Sequence, residues 1–440
     1  MQGVMITAPA SNTGKTTLSF GIIRAIKNRG IDVSAFKTGP DFIDTKYLGI
    51  ASGKRAGNLD IHLMGREGIK KSIAMNTGQL AVVEGAMGYF DGMYNTFEKS
   101  SYDISKELDI PAILVYRPQG EMFSAIPKIK GMVDFSGSKI KGIILNKVSK
   151  PIYLMLKEKI EEYIDIKVLG YLPEDSSMKI ESRYLGLMQA DEKLDSETLI
   201  ARVAEEVEKT IDIDEIINMG KEIQCTPFEL PKKRNIKVSI AYDEAFNFYY
   251  SENLKMLEHS CHVTYFSPLK DKEVPKSDLI YIGGGYPELY ANQLSDNNEM
   301  LESIRKNAEL GTYILAECGG FMYLVSSIEG HGMANILQGS AVMTDRLQRF
   351  GYVNVTMNKD TIIGKKGTKL SGNEYHRSII YSDSTPVFDI EKAMGSKSWQ
   401  CGYENHNGNV LGAYAHVNFL GNIDSFRYLL DTVETKRGAL

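Results

Sequence analysis

The sequence predicts an α/β protein built from two doubly wound domains. Short apolar runs alternate with helical stretches, which is the pattern of parallel sheets covered by helices on both faces. Two motifs, each placed where an apolar run gives way to a helix, mark the two domains: a loop at Pro9–Thr17 and a turn around Cys318. We expect an N-terminal domain of residues 1–205, a linker of residues 206–235 and a C-terminal domain of residues 236–440.

The predicted strands follow the apolar runs in chain order. In the N-terminal domain they are residues 3–8, Asp32–Phe36, Leu80–Glu84, Ala112–Tyr116, Gly142–Asn146 and Lys167–Leu172. In the C-terminal domain they are Ile236–Ala241, Leu279–Ile282 and two further runs that end at Cys318 and His416. Residues 206–235 are charged and poorly patterned, so we interpret them as a linker.

The loop after the first strand has the features of a phosphate-binding loop. It opens a helix, so backbone N–H groups of the turn and of the helix start face the phosphates. Lys15 is expected to reach the outer phosphates and the Thr16 hydroxyl to bind Mg²⁺, while Gly14 and Thr17 complete the turn. Asn146 ends another strand and carries the donor and acceptor needed to read a purine edge. The sequence therefore predicts a nucleotide site.

Acidic residues follow two neighbouring strands of the same domain. Because the carboxyl ends of parallel strands share one crevice, Asp41, Asp44, Glu84 and Asp91 are all expected to face the phosphates. Each acid alone is equally well explained as a cap or a turn residue, but as a set they favour a Mg²⁺ site. We assign Asp41 and Glu84, with Thr16, to the metal and keep Asp44 and Asp91 as candidates for substrate contact or activation.

Cys318 ends an apolar run and is followed at once by a helical segment. This pattern is typical of a nucleophile elbow, which tolerates only small neighbours such as Ala316 and Gly320. A second apolar run ends at His416, the natural base for a thiol whose usual pKa of ~8.5 leaves it mostly protonated. The alternative is a buried structural cysteine. We predict Cys318 and His416 as catalytic residues.

Two glycine-containing segments are expected to line the Cys318 site. Gly283–Glu288 follows a strand, and Gly284, Gly285 and Gly319 are candidate oxyanion donors, although a tight turn would also explain this segment. Gly372–Ser378 groups an acid, an imidazole and a guanidinium. It is interpreted equally well as a wall of the site or as a solvated polar loop.

Composition excludes several classes of protein. A chain of 440 residues with 43% hydrophobic content is expected to form two or three domains. The net charge of −5 gives no argument for nucleic acid or for an anionic membrane. Four cysteines without metal-ligand spacing favour reduced thiols in a cytoplasm, and no run approaches the length of a membrane span.

The chain resembles the cobyrinic acid a,c-diamide synthase family over nearly its whole length. In that family the N-terminal half is similar to dethiobiotin synthetase, and the C-terminal half is similar to flavodoxin-like class I glutamine amidotransferase domains of the triad type. The resemblance rests on Ala8–Thr17, Lys37–Asp44, Glu84–Gly92, Gly283–Glu288, Ala316–Gly320 and Ala413–Phe419.

The resemblance implies ATP- and glutamine-dependent amidation of the a and c side-chain carboxylates of cobyrinic acid in cobalamin biosynthesis. The reaction would pass through an acyl phosphate and use ammonia released at Cys318. The implied partners are ATP, Mg²⁺, L-glutamine and a tetrapyrrole polycarboxylate, and a homodimer is left open. The residues that carry the ATP-dependent step over to this chain are Lys15, Thr16, Asp41, Asp44, Glu84 and Asp91.

The chain departs from the family pattern at two positions. Class I domains generally carry a glutamate two residues after the histidine, where this chain has Asn418. Either Asn418 supplies a neutral acceptor, or another acid substitutes, or the glutaminase works as a dyad. Tyr184 stands where the family usually has histidine, which leaves its role in substrate contact open.

Other functions share parts of this pattern. Nickel sirohydrochlorin and hydrogenobyrinic acid are amidated by close relatives with the same motifs, so the identity of the tetrapyrrole stays open. A P-loop switch ATPase would share only the first motif and has no reason to carry a cysteine elbow. A carboxylase-like relative of dethiobiotin synthetase would need no glutaminase.

Overall fold

The structure is a computed structural model that describes residues 1–178, 180, 182–183, 186–187, 196–225 and 228–437. Contacts divide the chain into two compact units. The first contains Met1–Ile61 and Gly65–Phe228, and the second contains His62–Met64 and Glu229–Leu440. None of the helices in these described ranges is long and apolar enough to cross a membrane.

The elements of the first unit alternate between strands and helices. Its strands are β1 (Gln2–Thr7), β2 (Val33–Thr38), β3 (Gly57–Leu59), β4 (Leu80–Glu84), β5 (Ala112–Tyr116), β6 (Ile140–Asn146), β7 (Lys167–Leu172), β8 (Ser182–Arg183), β9 (Gly186–Leu187) and β10 (Lys221–Glu222). Its helices are α1 (Lys15–Asn28), α2 (Asp44–Ser52), α3 (Ile61–Ala74), α4 (Ser101–Glu107), α5 (Ala125–Asp134), α6 (Lys150–Tyr163), α7 (Ser196–Thr210) and α8 (Ile213–Met219).

A parallel sheet forms the centre of the first unit, in the order β3-β2-β4-β1-β5-β6-β7. Its inner strands are buried along almost their whole length, because helices cover both faces. The strands predicted for this domain are confirmed within two residues at each end. Within this parallel order the strand missed is β3, which has only three residues and lies at the edge of the sheet. The two-residue strands β8, β9 and β10 were also not predicted.

The predicted linker of residues 206–235 is wrong over its first half. Residues 206–210 complete α7, α8 follows, and β10 pairs antiparallel with β1. α7 packs on α1, and its Val203 and Val207 lie in the same buried core as Ile211. The apolar residues of α7 recur at helical spacing and form one face of the helix. The composition of this segment does not reveal that face, because many charged residues lie between the apolar ones.

The second unit contains fifteen strands among its described residues. They are β11 (Lys237–Ala241), β12 (His262–Phe266), β13 (Leu279–Ile282), β14 (Tyr313–Glu317), β15 (Ser327–Ile328), β16 (His331–Gly332), β17 (Ser340–Met343), β18 (Arg349–Met357), β19 (Lys369–His376), β20 (Ser378–Tyr381), β21 (Phe388–Lys392), β22 (Ser398–Cys401), β23 (Tyr403–Glu404), β24 (Val410–Ala413) and β25 (His416–Val417). Its helices are α9 (Ser251–Ser260), α10 (Ala291–Asp296), α11 (Asn298–Glu309), α12 (Gly319–Leu324) and α13 (Ile423–Arg437).

The central sheet of the second unit has the order β12-β11-β13-β14-β24-β23 and is parallel except for β23. Between α12 and β24 the chain forms the sheet β16-β15-β17-β20 and four strands of the sheet β22-β21-β18-β19-β25, which β25 completes after β24. β14 and β24 are neighbours, so the ends of the two strands that lead to Cys318 and His416 lie side by side. The predicted architecture of two doubly wound units is confirmed.

Candidate active sites

The phosphate-binding loop is held by hydrogen bonds to its own unit. Gly14 adopts a left-handed conformation with φ of 85°, and Lys15, Thr16 and Thr17 form the first turn of α1. The Lys15 ammonium donates to the carbonyl oxygens of Met87 at 2.7 Å and Ala10 at 3.2 Å. Burial, with the nearby charge of Lys37, lowers the pKa of Lys15 to about 8. The two hydrogen bonds to Ala10 and Met87 therefore already direct the Lys15 ammonium toward the phosphate-binding loop.

Asn146 contacts the same loop from the end of β6. Its Nδ2 atom donates to the carbonyl of Thr13 at 2.6 Å, and a Cβ atom at Gly14 would overlap this amide. Its Oδ1 atom has no hydrogen-bond partner among the described residues. The amide nitrogen thus shapes the phosphate loop, whereas the sequence suggested that it would read a purine edge.

Three oxygen-bearing side chains meet beside the first turn of α1. The Thr16 hydroxyl donates to Glu84 Oε1 at 2.7 Å and to Asp44 Oδ2 at 3.4 Å. The Lys37 ammonium lies 2.8 Å from Asp44 Oδ2 and 2.9 Å from Glu84 Oε1. Burial raises the pKa of Glu84, although the charge of Lys37 opposes this shift. Lys37 was not expected at this site from the sequence, although it begins one of the motifs that carry the family resemblance.

The structure places Asp44, and not Asp41, beside Thr16 and Glu84, whereas the sequence assigned Asp41 to the metal. Asp41 Oδ1 accepts hydrogen bonds from the backbone N–H groups of Ile43 and Asp44, each at 2.8 Å, so Asp41 caps its own turn. Burial and the charge of Asp44 raise the pKa of Asp41 to about 7. Asp91 also stabilises its own turn, because its Oδ2 atom accepts a hydrogen bond from the Gly88 N–H at 2.9 Å.

The residues around Thr16 fit Mg²⁺ once Asp44 replaces Asp41. Thr16, Asp44 and Glu84 offer hard oxygen donors, and Glu84 Oε2 is buried without a hydrogen-bond partner among the described residues. No group of three or more His, Cys, Asp or Glu side chains in the described part of the chain is arranged to hold a metal ion. Mg²⁺ here would depend on two carboxylates, a hydroxyl and the phosphates of a nucleotide, which is its usual manner of binding.

The predicted nucleophile elbow is present between β14 and α12. Cys318 has φ of 50° and ψ of −105°, a strained conformation for a residue with a side chain. Its N–H donates to the Ala413 carbonyl at 2.7 Å, and the Gly320 N–H donates to the Gly283 carbonyl at 2.9 Å. A Cβ atom at Gly320 would overlap the Ile282 carbonyl oxygen. This close approach is the physical reason why the elbow requires a small residue there.

His416 lies beside the thiol, as predicted. The two side chains form a hydrogen bond, and both are almost completely buried. A Cβ atom at Gly284 would lie 3.1 Å from His416 Nε2 and 3.4 Å from Cys318 Cβ. Gly284 therefore leaves room for the side chains of Cys318 and His416.

Glu317 is the acid that faces His416, and sequence reasoning missed it. Its Oε2 atom lies 3.7 Å from His416 Nδ1 and accepts the Tyr281 hydroxyl at 2.9 Å, while Oε1 accepts the Val417 N–H at 3.2 Å. Burial alone would lower the pKa of His416, but the hydrogen bond to Cys318 and the charges of Cys318 and Glu317 raise it to about 10. A carboxylate at the end of a buried strand, directly before the nucleophile, was the available signal.

Asn418 does not replace the missing carboxylate. Its Oδ1 atom accepts the Leu420 N–H at 3.0 Å, so it stabilises the turn that follows β25. Of the three explanations left open by the sequence, the geometry favours substitution by another acid, Glu317.

The three candidate oxyanion donors differ in their surroundings. The Gly284 N–H already donates to the Phe248 carbonyl at 3.2 Å, so it is not free to hold an oxyanion. Gly285, with φ of 156°, places its nitrogen 3.1 Å from where a Cβ atom of Gly319 would lie. Gly285 and Gly319 remain the candidates for holding an oxyanion.

The segment Gly372–Ser378 belongs to β19 and β20, and its Glu374 and His376 side chains are buried. The interpretation as a solvated loop is therefore wrong for these two side chains. Tyr184 lies outside the described residues.

Comparison with known proteins assigns both units. Residues 4–187 match the model of the CobQ/CobB/MinD/ParA nucleotide binding domain, and residues 237–423 match the CobB/CobQ-like glutamine amidotransferase domain. The cobyrinate a,c-diamide synthase of Clostridium tetani is 42% identical over 98% of this chain and 100% of its own length. The enzyme of the same name from Clostridium acetobutylicum is 41% identical over the same shares, and that of Methanocaldococcus jannaschii is 37% identical over 96% and 97%.

Solved structures also resemble parts of the chain. The cell division protein MinD of Aquifex aeolicus covers 52% of this chain and all of its own at 15% identity, with a TM-score of 0.30. A glutamine amidotransferase covers 45% of this chain and 98% of its own at 12% identity, also with a TM-score of 0.30. These scores are too low to carry an argument. On the sequence relatives and the two domain models, the chain belongs to the cobyrinate a,c-diamide synthase family and is a glutamine-hydrolysing ligase.

Proposed function

We propose that this chain amidates the a and c side-chain carboxylates of cobyrinic acid, with L-glutamine as nitrogen donor and ATP as activating substrate. One observation carries the proposal: the same chain contains two sites. In one, a strained Cys318 is hydrogen-bonded to His416, and in the other, the phosphate loop is joined through Thr16 to Asp44 and Glu84. The names of these relatives favour cobyrinic acid over nickel sirohydrochlorin and hydrogenobyrinic acid. A cytoplasmic location and a homodimer remain predictions from the sequence.

The second unit would supply ammonia. Cys318, as a thiolate paired with the His416 imidazolium, attacks the side-chain amide of glutamine, and the Gly285 and Gly319 N–H groups hold the developing oxyanion. His416 gives a proton to the leaving ammonia. Water then attacks the thioester, returns the free thiol and releases glutamate.

The first unit would activate the acceptor. A carboxylate is a poor electrophile because its charge is delocalised, so transfer of the γ-phosphoryl group of ATP converts it to an acyl phosphate. Lys15 and the N–H groups of the loop position that group and balance its charge. Bound Mg²⁺ would neutralise further charge on the phosphates, held by Thr16, Asp44 and Glu84. Ammonia then displaces phosphate and leaves a carboxamide.

A crossed assay tests both halves of the proposal. Cys318→Ala should abolish amidation with glutamine and leave amidation with an ammonium salt near the parent rate, because the thiol only liberates ammonia. Lys15→Ala should abolish amidation with either donor, because activation of the carboxylate precedes both. Product formation by mass spectrometry, with cobyrinic acid as acceptor, measures each rate. Loss of both activities in folded Cys318→Ala would contradict the two-site scheme.

A further inference from the structure

Three exposed apolar side chains lie on the segment that joins β4 to α4, residues 87–99, which we call the 87–99 loop. They are Met87, Tyr94 and Phe97, exposed by 52%, 62% and 46%. We propose that this loop and the cleft beside it bind the acceptor macrocycle. The three apolar side chains contact the face of the macrocycle, and Lys99 and Lys106 bind carboxylates on its rim that are not being activated. The inference rests on the proposed tetrapyrrole acceptor.

The 87–99 loop lies directly against the phosphate-binding loop. The Met87 carbonyl accepts a hydrogen bond from the Lys15 ammonium at 2.7 Å, and a Cβ atom at Gly88 would lie 2.5 Å from the Pro9 carbonyl oxygen. In open parallel sheets, ligands bind outside the carboxyl ends of the strands, where this loop begins. The carboxylate that receives the γ-phosphoryl group must approach Lys15. An acceptor bound for reaction therefore meets the exposed side chains of this loop.

The 87–99 loop is held in a strained conformation. Four of its non-glycine residues have a positive φ of 49–61°: Met87, Tyr94, Asn95 and Lys99. Such residues rarely adopt this conformation, and it persists only where the surrounding structure maintains it. Here the Gly92 N–H donates to the Thr96 carbonyl at 2.8 Å, and the Met93 N–H donates to the Glu98 carbonyl at 2.9 Å. A simple connection between a strand and a helix does not need this strain, so it indicates a binding function.

The Phe97 ring is held on a fixed support. It contacts Tyr102 edge to face, with the ring centroids 5.5 Å apart. Tyr102 is itself buried, and its hydroxyl donates to the Ser136 carbonyl at 3.1 Å. An exposed ring that is already held in place loses little conformational freedom when a ligand covers it. Phe97 is therefore suited to contact the apolar face of a large ligand.

Phe97 also lines a cleft of about 630 Å³, a volume typical of ligand sites. The charged residues of its wall are Arg66, Glu98, Lys99, Asp103, Lys106 and Glu107. Arg66 binds Asp103 through two hydrogen bonds of 3.0 Å, and the Lys70 ammonium lies 2.6 Å from Glu107. These two acids are thus neutralised. Lys99 and Lys106 then outnumber the one remaining acid, Glu98, which favours an anionic ligand.

The cleft and the exposed side chains lie at the same edge of the sheet. Ser101, the first residue of α4, donates from its hydroxyl to the Ala86 carbonyl at 3.2 Å, directly after β4. A tetrapyrrole polycarboxylate combines a flat apolar ring with carboxylates on its rim, so it matches both the apolar side chains and the lysines. A second copy of the chain would also cover apolar side chains, but it would not require a surface beside Lys15.

Equilibrium binding tests the inference without turnover. The parent protein, with Mg²⁺ and a non-hydrolysable ATP analogue, should bind cobyrinic acid in a calorimetric titration. Tyr94→Ala and Phe97→Ala should each weaken this binding about 10-fold, because each removes an aromatic ring from the contact. Binding of the ATP analogue and glutamine hydrolysis should stay within about twofold of the parent. Tyr381→Ala is the matched control, since Tyr381 on β20 is also 62% exposed.

A double variant tests the lysines. Lys99→Gln combined with Lys106→Gln should weaken cobyrinic acid about 10-fold at low salt and by a smaller factor at high salt, because salt screens exposed charges. The lysines are assigned to carboxylates other than a and c, so binding of the a,c-diamide should weaken by the same factor. Lys130→Gln combined with Lys141→Gln, at two exposed lysines of the same unit, is the control.

The outcomes separate the inference from the proposed function. Unchanged affinity for cobyrinic acid in the Tyr94 and Phe97 variants would overturn the inference. An equal loss of affinity for the ATP analogue would also overturn it, because the 87–99 loop would then only support the phosphate-binding loop. Variants that change the oligomeric state in sedimentation and bind cobyrinic acid like the parent would assign the surface to a second copy of the chain instead.

A parent protein that hydrolyses glutamine and does not bind cobyrinic acid would overturn the proposed function. Far-UV circular dichroism confirms that each variant is folded.

Discussion

Glu317 and Asn418 have different tasks around His416. Glu317 faces the imidazole and is itself fixed by Tyr281 and by the Val417 N–H, whereas Asn418 turns toward the Leu420 N–H. A carboxylate in the position of Glu317 fixes the tautomer and orientation of the imidazole and stabilises its charged form. Glu317 is thus a positioning residue, because it acts through His416 and not on glutamine.

Glu317→Gln is expected to lower the glutaminase kcat by about 10²- to 10⁴-fold and to leave ammonium-dependent amidation unchanged. The glutamine side chain keeps the shape and removes the charge that raises the pKa of His416, so the imidazole should lose its proton at lower pH. A pH profile of glutamine hydrolysis measures this shift. Asn418→Ala is the control and should leave the profile in place. A profile that does not move would contradict the positioning role.

The ammonium of Lys15 makes nucleotide binding depend on pH. Because its pKa is lowered to about 8 in the nucleotide-free protein, Lys15 is charged below pH 8 and loses its proton above it. Phosphate favours the charged amine, so binding takes up a proton at higher pH. The affinity for ATP should therefore fall about tenfold per unit above pH 8.

Fluorescence titration with a labelled ATP analogue between pH 7 and 9.5 measures this dependence. Lys15→Arg is the control, because a guanidinium remains charged over the whole range and should give a flatter curve. An equally steep fall in both proteins would assign the pH dependence to another group.

Most of the chemical groups of the two sites were identified from the sequence. The sequence did not predict the roles that depend on the local geometry of a turn. Asp41 and Asp44 lie three residues apart in one motif, and only the hydrogen bonds that Asp41 receives from Ile43 and Asp44 show which of the two carboxylates is used in its own turn. Glu374 and His376 were noticed, but sequence cannot show whether a polar segment is buried. Their pairing in β19 depends on β18, which lies about twenty residues earlier in the chain.

The elbow between β14 and α12 is the element that most constrains the glutaminase. Three backbone segments approach one another there: the end of β13, the loop that follows β13 and the first turn of α12. The strained φ of Cys318 is maintained by two hydrogen bonds, from its own N–H to the Ala413 carbonyl and from the Gly320 N–H to the Gly283 carbonyl. The position of the thiol is therefore fixed by backbone packing.

Gly320→Ala is expected to destabilise the protein by about 1–3 kcal/mol and to abolish glutaminase activity, because its Cβ atom would overlap the Ile282 carbonyl oxygen. Differential scanning calorimetry measures the change in Tm, and ammonia release measures the activity. Gly332→Ala on β16 is the control: its nearest neighbour would be Ser295 Oγ at 3.8 Å, so it should change neither quantity. Full activity in Gly320→Ala would refute the close packing of the elbow.

The inner strands of the parallel sheets were predictable, whereas the edge strands β3 and β12 and the antiparallel insertion of the second unit were not. β4, β5 and β13 are continuous apolar runs between helical stretches, which gives them clear ends. Strands such as β17, β20 and β22 are short and partly exposed, so their apolar residues alternate with polar ones and resemble loops. Long-range pairing, which a local pattern does not encode, defines them.

The described residues of the whole molecule contain one phosphate loop and one cysteine elbow, yet the proposed product carries two new amides. One activating phosphoryl group can meet one carboxylate in each binding pose, so the macrocycle must present its second carboxylate in a new pose. We expect the two amidations to occur one at a time, with release of a monoamide between them.

A time course resolved by mass spectrometry should show free monoamide rising before the diamide and falling once the excess substrate is consumed. Because the protein has a net charge of −5, it has no large basic field to retain a polycarboxylate, which favours release. In a pulse-chase experiment, labelled substrate that passes straight to diamide despite a large unlabelled chase would falsify the release step.

The ammonium of Lys37 changes how a divalent cation can enter the first unit. Lys37 already neutralises much of the negative charge of Asp44 and Glu84, and all three groups are largely buried. A divalent ion that arrived alone would place surplus positive charge in a region of low dielectric constant, at a high electrostatic cost. The phosphates of ATP bring the missing negative charge. Metal and nucleotide should therefore be taken up together, as one complex, so that cellular ATP and not free magnesium controls the loading of the enzyme.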